Sequence, residues 1–178
     1  AIPGTDQVRY VDDNLGAAAN EIRINGGRLY VDRQTGDPSF VSSRTLRTGP
    51  CGGTFGSADN DGTYTYNGAL ILDGPLAVAI GGNTQIDFHG PIQDAAGKQG
   101  TLIFSGSSKR FNTPAANVTY SGGTIVRMPV GVSNDGSMLF VLAGSRLGTG
   151  DVLVEQGRLA LEDDAAIDPA ARLWMCLD

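Results

Sequence analysis

A short unit recurs along this chain: two apolar residues at positions i and i+2, a corner that contains glycine, and a second apolar pair. The best alignment is free of gaps and joins residues 22–32, IRINGGRLYVD, to residues 152–162, VLVEQGRLALE. Two looser copies run through residues 118–126 and 64–72. Because a spacing of two places both members of a pair on one face of a β-strand, the unit predicts two brief strands joined at a glycine corner.

Apolar pairs of this kind occur along most of the chain after residue 20. They are Ile22/Ile24, Leu29/Val31, Leu76/Val78/Ile80, Ile86/Phe88, Leu102/Phe104, Val118/Tyr120, Val152/Val154, Leu159/Leu161 and Leu173/Met175. Clusters of glycine, asparagine and aspartate separate the pairs, as is typical of turns. The chain is therefore predicted to be all-β, with short strands and little helix. A turn or two at residues 14–21 and a single turn at residues 168–171 are the only helical segments expected.

A corner that returns at a fixed offset favours a β-solenoid, in which each coil covers the next. A β-sandwich or jelly roll also has short strands and turns, but it gives no reason for one glycine corner to return. At a solenoid corner the backbone turns sharply, often with positive φ, while the next coil passes close above it. We expect one solenoid domain over residues 1–178, most repeat-like over residues 64–177, with residues 32–63 as a loop excursion. The 130-residue offset between residues 22 and 152 would hold about six coils.

Composition excludes several classes of protein. Nineteen acidic residues against thirteen Lys plus Arg give a formal charge of −6, so no basic surplus is present to bind nucleic acid. No run of about 18 apolar residues appears, so no membrane insertion is expected. Apolar residues make up 40% of the chain, which is too many for a disordered protein of this charge. The 26 glycines follow no three-residue period, which excludes collagen.

Patterns that would indicate catalysis or metal binding are weak. The carboxylate candidates for sugar hydrolysis lie in turn-like sequence or on the outer face of a strand, and they are Asp12/Asp13, Asp59/Asp61, Asp163/Asp164 and Asp87. His89 is the only histidine, and no Gly-x-Ser-x-Gly elbow supplies a serine for it to activate. Asp59-x-Asp61-Gly62 lacks the remaining ligands of a calcium loop. We expect no enzyme, no cofactor and no metal site.

Two cysteines and two tyrosines leave alternatives open. Cys51 and Cys176 belong to no Cys-x-x-Cys pair, so a zinc or iron–sulfur site has no support. They can form one intramolecular disulfide, link neighbouring copies of the chain, or remain as small buried apolar residues. Tyr64 and Tyr66 lie on one strand face, either as a small surface platform for sugar rings or, as we favour, packed inside the coils.

One segment resembles a known family. Residues 117–126, NVTYSGGTIV, are similar to the core of the autotransporter-associated β-strand repeat. Residues 100–106, GTLIFSG, resemble the lead strand of that repeat, and residues 147–161 resemble its usual continuation. The resemblance implies a right-handed parallel β-helix in a secreted or surface-displayed bacterial protein. It also implies repeats that are architectural and carry no catalytic residues.

The C-terminal stretch suggests how such a solenoid would be used. Leu173, Trp174, Met175 and Leu177 form an apolar stretch with no polar turn after it. A solenoid has unpaired strand edges at its end coils, and caps normally block them. Where this stretch is a genuine terminus, a second copy can add to the free edge, and the repeated head-to-tail contact gives an open filament. The alternative is that the chain was cut within this strand.

We therefore expect a subunit of a surface fibre, filament or sheath that associates with itself. Either Cys51 or Cys176 would lock adjacent copies together, and the segment that contains Val8 and Tyr10 would be the place for strand exchange between copies. The alternatives are an adhesin or passenger segment that binds glycans or host surfaces, and a polysaccharide-active β-helix enzyme.

Overall fold

The computed structural model describes residues 10–11, 17, 19–31, 39–57, 61–80, 83–107, 109–114, 117–128 and 137–176. These residues form short strands and almost no helix. In chain order the strands are β1 (Tyr10–Val11), β2 (Ile22–Ile24), β3 (Arg28–Tyr30), β4 (Ser39–Ser42), β5 (Leu46–Thr48), β6 (Gly53–Ser57), β7 (Asp61–Tyr66), β8 (Leu70–Leu72), β9 (Leu76–Ile80), β10 (Asn83–Phe88), β11 (Ile92–Asp94), β12 (Leu102–Gly106), β13 (Lys109–Asn112), β14 (Thr124–Arg127), β15 (Met138–Val141), β16 (Arg146–Leu147), β17 (Val152–Gln156), β18 (Arg158–Leu161), β19 (Ala166–Ile167) and β20 (Leu173–Met175).

The strands stack into a β-solenoid with three sides, as the sequence predicts. Side A contains β1, β4, β7, β10, β13, β15 and β18 in that order, and side C contains β3, β6, β9, β12, β14, β17 and β20. Side B contains β2, β5, β8 and β11, and the pair β16–β19 takes its place in the last two coils. Adjacent strands within each side are parallel, so each coil runs from side A through side B to side C and starts again.

Ladders of inward-pointing apolar side chains form the core. On side C one ladder contains Leu29, Phe55, Val78, Phe104, Val126, Val154 and Met175. Consecutive members are 21 to 28 residues apart, which is the length of one coil on this side. Aromatic rings fill the middle of the stack, with centroids 5.0 Å apart for Phe104 and Phe111 and 5.2 Å apart for Phe55 and Tyr66.

The recurring glycine unit marks every kind of corner rather than one. Residues 22–32 and 118–126 turn from side B to side C, residues 64–72 turn from side A to side B, and residues 152–162 turn from side C to side A. The 130-residue offset is therefore not a whole number of coils, and its use for counting coils is wrong. The physical demand is the same at each corner. A Cβ on Gly68, for example, would lie 2.0 Å from the carbonyl oxygen of Arg44 in the coil below.

The described part of residues 32–63 belongs to the stack of coils, so the prediction of a loop excursion is wrong for this part. Residues 39–57 form β4, β5 and β6, and each of these strands pairs with a strand on either side. Small and polar residues occupy some inward positions there, which hides the apolar alternation. Thr48 is one of them: its hydroxyl donates to the Gly74 carbonyl at 2.9 Å and accepts from the Asp73 amide at 3.1 Å.

In the described part of the chain, helical structure is limited to short turns, as predicted. Residues 168–171 form the expected single turn, since the Ala171 amide donates to the Asp168 carbonyl and the Ala170 amide donates to the Asp168 carboxylate, both at 2.9 Å. The other expected segment, residues 14–21, lies largely outside the described residues. Its described part contains a turn between Ala17 and Asn20. Within the described ranges, no helix has the length and apolar character needed to cross a membrane.

Candidate functional site at the last coil

The last coil consists of β18, β19 and β20, one strand on each side of the solenoid. Each of them pairs with the strand of the coil below, and no described strand pairs with its other edge. The backbone N–H and C=O groups along this upper edge are therefore available to another strand. An open edge on all three sides is the geometry that a further coil would occupy.

Interior side chains are exposed at this edge. Leu173 and Met175 continue the inward rows of Val152 and Val154, and they are 50% and 67% exposed, whereas Val152 and Val154 are buried. Leu161 continues the inward row on side A and is 44% exposed. Of the five large apolar side chains that are exposed in the described part of the chain, four lie in this coil. Three of the four, all except Trp174, are core positions that are exposed because no described coil covers them.

The open interior forms a concave space of about 470 Å³. Its lining residues are Met138, Val154, Gly157, Arg158, Leu159, Ala160, Leu161, Leu173 and Met175. Most of this lining is apolar, so the space suits an apolar side chain better than a polar ligand.

Paired charges surround the apolar centre. Arg146 pairs with Asp168 between β16 and β19, and Arg110 lies 3.2 Å from Glu162 across side A. On side C, Arg172 donates to Asp151 at 2.6 Å. An apolar centre with a charged rim is the usual arrangement of a protein–protein interface.

Asp151 and Arg172 anchor the start of β20. Hydrogen bonds from the Arg172 side chain and from its backbone amide lower the pKa of Asp151 to about 2. The Arg172 guanidinium also lies 5.3 Å from the centroid of the Trp174 ring, a cation–π contact on the outer face of the strand. Trp174 itself is 52% exposed.

The first coil consists of β1, β2 and β3. Its described inward side chains are less exposed than those of the last coil. Its strands also have no described partner on their outer edge. Ile24 is only 5% exposed because it packs over Gly53 of the second coil, where a Cβ would come within 2.2 Å of its side chain. Leu29 is half-buried. The Arg44 guanidinium donates to the Ala17 carbonyl, which ties residue 17 to this end of the stack.

The structure excludes two of the three alternatives for Cys51 and Cys176. Both Cys51 and Cys176 are free and exposed, so the prediction of buried apolar residues is wrong. Cys51 lies just before β6 and Cys176 directly after β20, which are five strands apart on side C. That separation is about 24 Å, and a disulfide needs Cα atoms within about 7 Å. The intramolecular disulfide is therefore excluded by the fold, and a link between copies stays a prediction.

The predicted surface platform of Tyr64 and Tyr66 is wrong. Both side chains are fully buried and pack in the aromatic core, where Tyr66 contacts Phe88 with ring centroids 5.9 Å apart. The alternative of packing inside the coils is confirmed. For the other predicted contacts, Tyr10 pairs with Phe40 through the backbone of β1 and β4. Val8 and Leu177 lie outside the described residues.

The structure describes only some of the polar residues that the sequence analysis considered for catalysis. Asp163 and Asp164 are exposed in one turn, with φ of 64° at Asp164, and the Asp87 carboxylate accepts a hydrogen bond from Gln85 at 2.9 Å. The Nδ1 atom of His89 lies 3.1 Å from the side-chain oxygen of Asn67 at a corner. The structure does not describe Asp12, Asp13, Asp59 or the side chain of Asp61. In the part of the chain that it does describe, no three His, Cys, Asp or Glu residues could hold a metal ion.

Sequence reasoning missed a buried lysine. Lys109 points into the core two residues before Phe111, and its Nζ donates to the Ser107 carbonyl at 3.1 Å. Burial lowers its pKa to about 7. The available signal was the spacing of two between Lys109 and Phe111, but a search for apolar pairs passes over a lysine.

Comparisons with known proteins add no relative. No family model matches this chain, and neither a curated protein nor a solved structure matches it. The resemblance to the autotransporter-associated repeat therefore rests on the motifs alone. What the structure establishes is a parallel β-solenoid whose last described coil is open.

Proposed function

We propose that this chain is a non-enzymatic structural subunit whose copies stack head to tail into an extracellular fibre or sheath. The observation that carries the proposal is the exposure of Leu161, Leu173 and Met175, which are core positions by register but lie uncovered beside an unpaired strand edge. Burial of such side chains is the main driving force of association. The autotransporter-like motifs support a location outside the cell.

Two open ends favour a filament over a dimer. In the described residues the first coil offers β1, β2 and β3 on the same three sides where the last coil offers β18, β19 and β20. An end that adds to the opposite end of a second copy leaves both outer ends unchanged, so the contact repeats without closing. A symmetric contact between two last coils would instead stop at two copies.

Electron microscopy and sedimentation of the purified chain at micromolar concentration test this proposal. We expect filaments of uniform width, and we expect the Leu161→Glu variant to remain as single particles because it places a charge in the interior of the joint. Phe140→Glu is the matched control, since Phe140 lies on the neighbouring strand β15, faces outward and does not line the open interior. Single particles of the parent chain at every concentration would contradict the proposal.

An adhesin or passenger segment is the second candidate, and a surface row on side C favours it. Ala77, Ile103, Ile125, Leu153 and Trp174 stand in register on the outer face, half-buried except for the exposed Trp174. A continuous apolar row on a soluble surface is a usual mark of a binding site. Retention of the chain on immobilised polysaccharides, weakened by Ile125→Glu, would support this candidate. Equal passage of both proteins through such a column would count against it.

A further inference from the structure

The rows of side C show what the two ends of the solenoid have in common. The outward row begins at Arg28, passes through Thr54, Ala77, Ile103, Ile125 and Leu153, and ends at Trp174. The inward row begins at Leu29 and ends at Met175. One end of the outward row is therefore an exposed cation, and the other end is an exposed indole.

On the basis of the proposed function, we infer that the first coil of a second copy docks on the last coil in one register. This register places its β3 beside β20, with Arg28 next to Trp174 and Leu29 next to Met175. Neighbouring parallel strands are about 4.8 Å apart, so the guanidinium of Arg28 comes within cation–π distance of the indole. Leu29 of the second copy then fills the apolar space above Val154 and buries the side chains that line this space.

A shift of one residue is excluded because it exchanges the two faces of a strand. Arg28 would then point into the interior beside Met175 or Leu173, and burial of an unpaired guanidinium costs several kcal/mol. The face of each residue is fixed by the buried rows beneath it, since Val152 and Val154 point inward under Leu173 and Met175.

A shift of two residues keeps the faces but displaces the corners. Gly26, with φ of 77°, turns the chain into side C, and its amide donates to the Gly52 carbonyl of the next coil at 2.7 Å. In the inferred register Gly26 stands over Arg172, the corner residue of the last coil. A slide of about 6.6 Å along side C moves this corner off its support and disturbs sides A and B as well. The corner at Gly26 therefore favours the inferred register over a shift of two residues.

The ion pair between Arg172 and Asp151 allows a second cation to approach the Trp174 ring. Arg172 already contacts the ring, and its charge is balanced by the Asp151 carboxylate at 2.6 Å. Arg28 therefore approaches an indole whose nearest cation is neutralised, so repulsion between the two guanidinium groups is small.

The same register keeps the native cysteines apart. Cys51 of the added copy lies two strands above Cys176 and about five residues back along side C, which is roughly 19 Å. No disulfide can form between them across the joint. Filaments are therefore expected to persist in reductant.

Engineered cysteines test the register. In a chain with Cys51→Ser and Cys176→Ser, the pair Arg28→Cys with Trp174→Cys should give a ladder of covalent multimers on non-reducing gels after oxidation with copper phenanthroline. The matched control is Thr54→Cys with Trp174→Cys, which lies on the same row one coil further away and should give none. Filaments that link through the control pair, or through neither pair, would overturn the inferred register.

A charge reversal at Arg28 tests the register independently, in case the engineered cysteines themselves prevent assembly. Arg28→Glu should raise the protein concentration needed for assembly about tenfold, because it removes the cation from the indole. Arg28→Lys should keep assembly near that of the parent chain. No change with Arg28→Glu would overturn the register while leaving the filament intact, whereas a parent chain that never assembles would refute the proposed function.

Discussion

The middle coils and the last coil contain the same rows of side chains, but only the middle coils bury them. Leu102 and Phe104 on β12 are fully buried, whereas Leu173 and Met175, in the same two inward rows, are 50% and 67% exposed. The residue types are equally apolar in both places. Burial in this fold is therefore decided by whether another described coil lies above the side chain.

The largest difference is expected from truncation of the same row in the two regions. Phe104→Ala should lower the free energy of unfolding by about 3–5 kcal/mol, because it leaves a cavity beside Phe111 in a core that cannot collapse. Met175→Ala should lower it by less than about 0.5 kcal/mol in the single chain, since that side chain is mostly in solvent. Urea denaturation at a concentration below assembly measures both. Equal losses would show that Met175 is covered in solution by something other than a second copy.

A buried charge in the middle region gives the next largest effect. The folded pKa of Lys109 is about 7, and the unfolded value is about 10.4. Between these values the unfolded chain binds a proton that the folded chain does not, so stability rises with pH from about 7 to about 10. The gain is at most about 5 kcal/mol, and it is absent below pH 7, where both states are protonated.

Lys109→Met is the variant that isolates this effect. The residues in register on both neighbouring strands, Thr84 and Leu139, carry no charge. We expect the variant to be more stable than the parent at pH 7 and to lose the rise in stability towards pH 10. Denaturation curves at several pH values provide the measurement. A parallel rise in both proteins would assign the effect to other groups.

The comparison also shows what the sequence could predict. Apolar pairs with a spacing of two, separated by glycine corners, were enough for the fold class, because those features are local. The same pattern cannot decide which face of a strand is inside. Tyr64 and Tyr66 share one face whether that face is buried or exposed, and only the stacking of the coils buries it.

Long-range register accounts for what the sequence could not predict. The alignment of Arg28 with Trp174 depends on six successive strand pairings between residues far apart in sequence. The same pairings decide which two sides a corner joins. The sequence alone therefore assigns these similar glycine units to one kind of corner, whereas they lie at three. Lys109 was missed for a related reason. The lysine on this inward row donates from its Nζ to a backbone carbonyl at the coil corner, and a search for apolar pairs does not detect such a contact.

The smallest effect concerns the anchor of the last coil, and its dependence on pH has the same direction as that of Lys109, because the folded state lowers the pKa of both groups. The pKa of Asp151 is about 2 when folded and about 3.9 when unfolded, so its contribution to stability is present above pH 4 and is lost as the pH falls towards 2. Because both partners are exposed, the loss in unfolding free energy should be small. NMR titration should place the Asp151 midpoint near pH 2, and Arg172→Ala should return it towards the unfolded value. A midpoint that stays near 2 in Arg172→Ala would mean that the guanidinium does not hold the start of β20, and the open edge would then be anchored only by its pairing with β17.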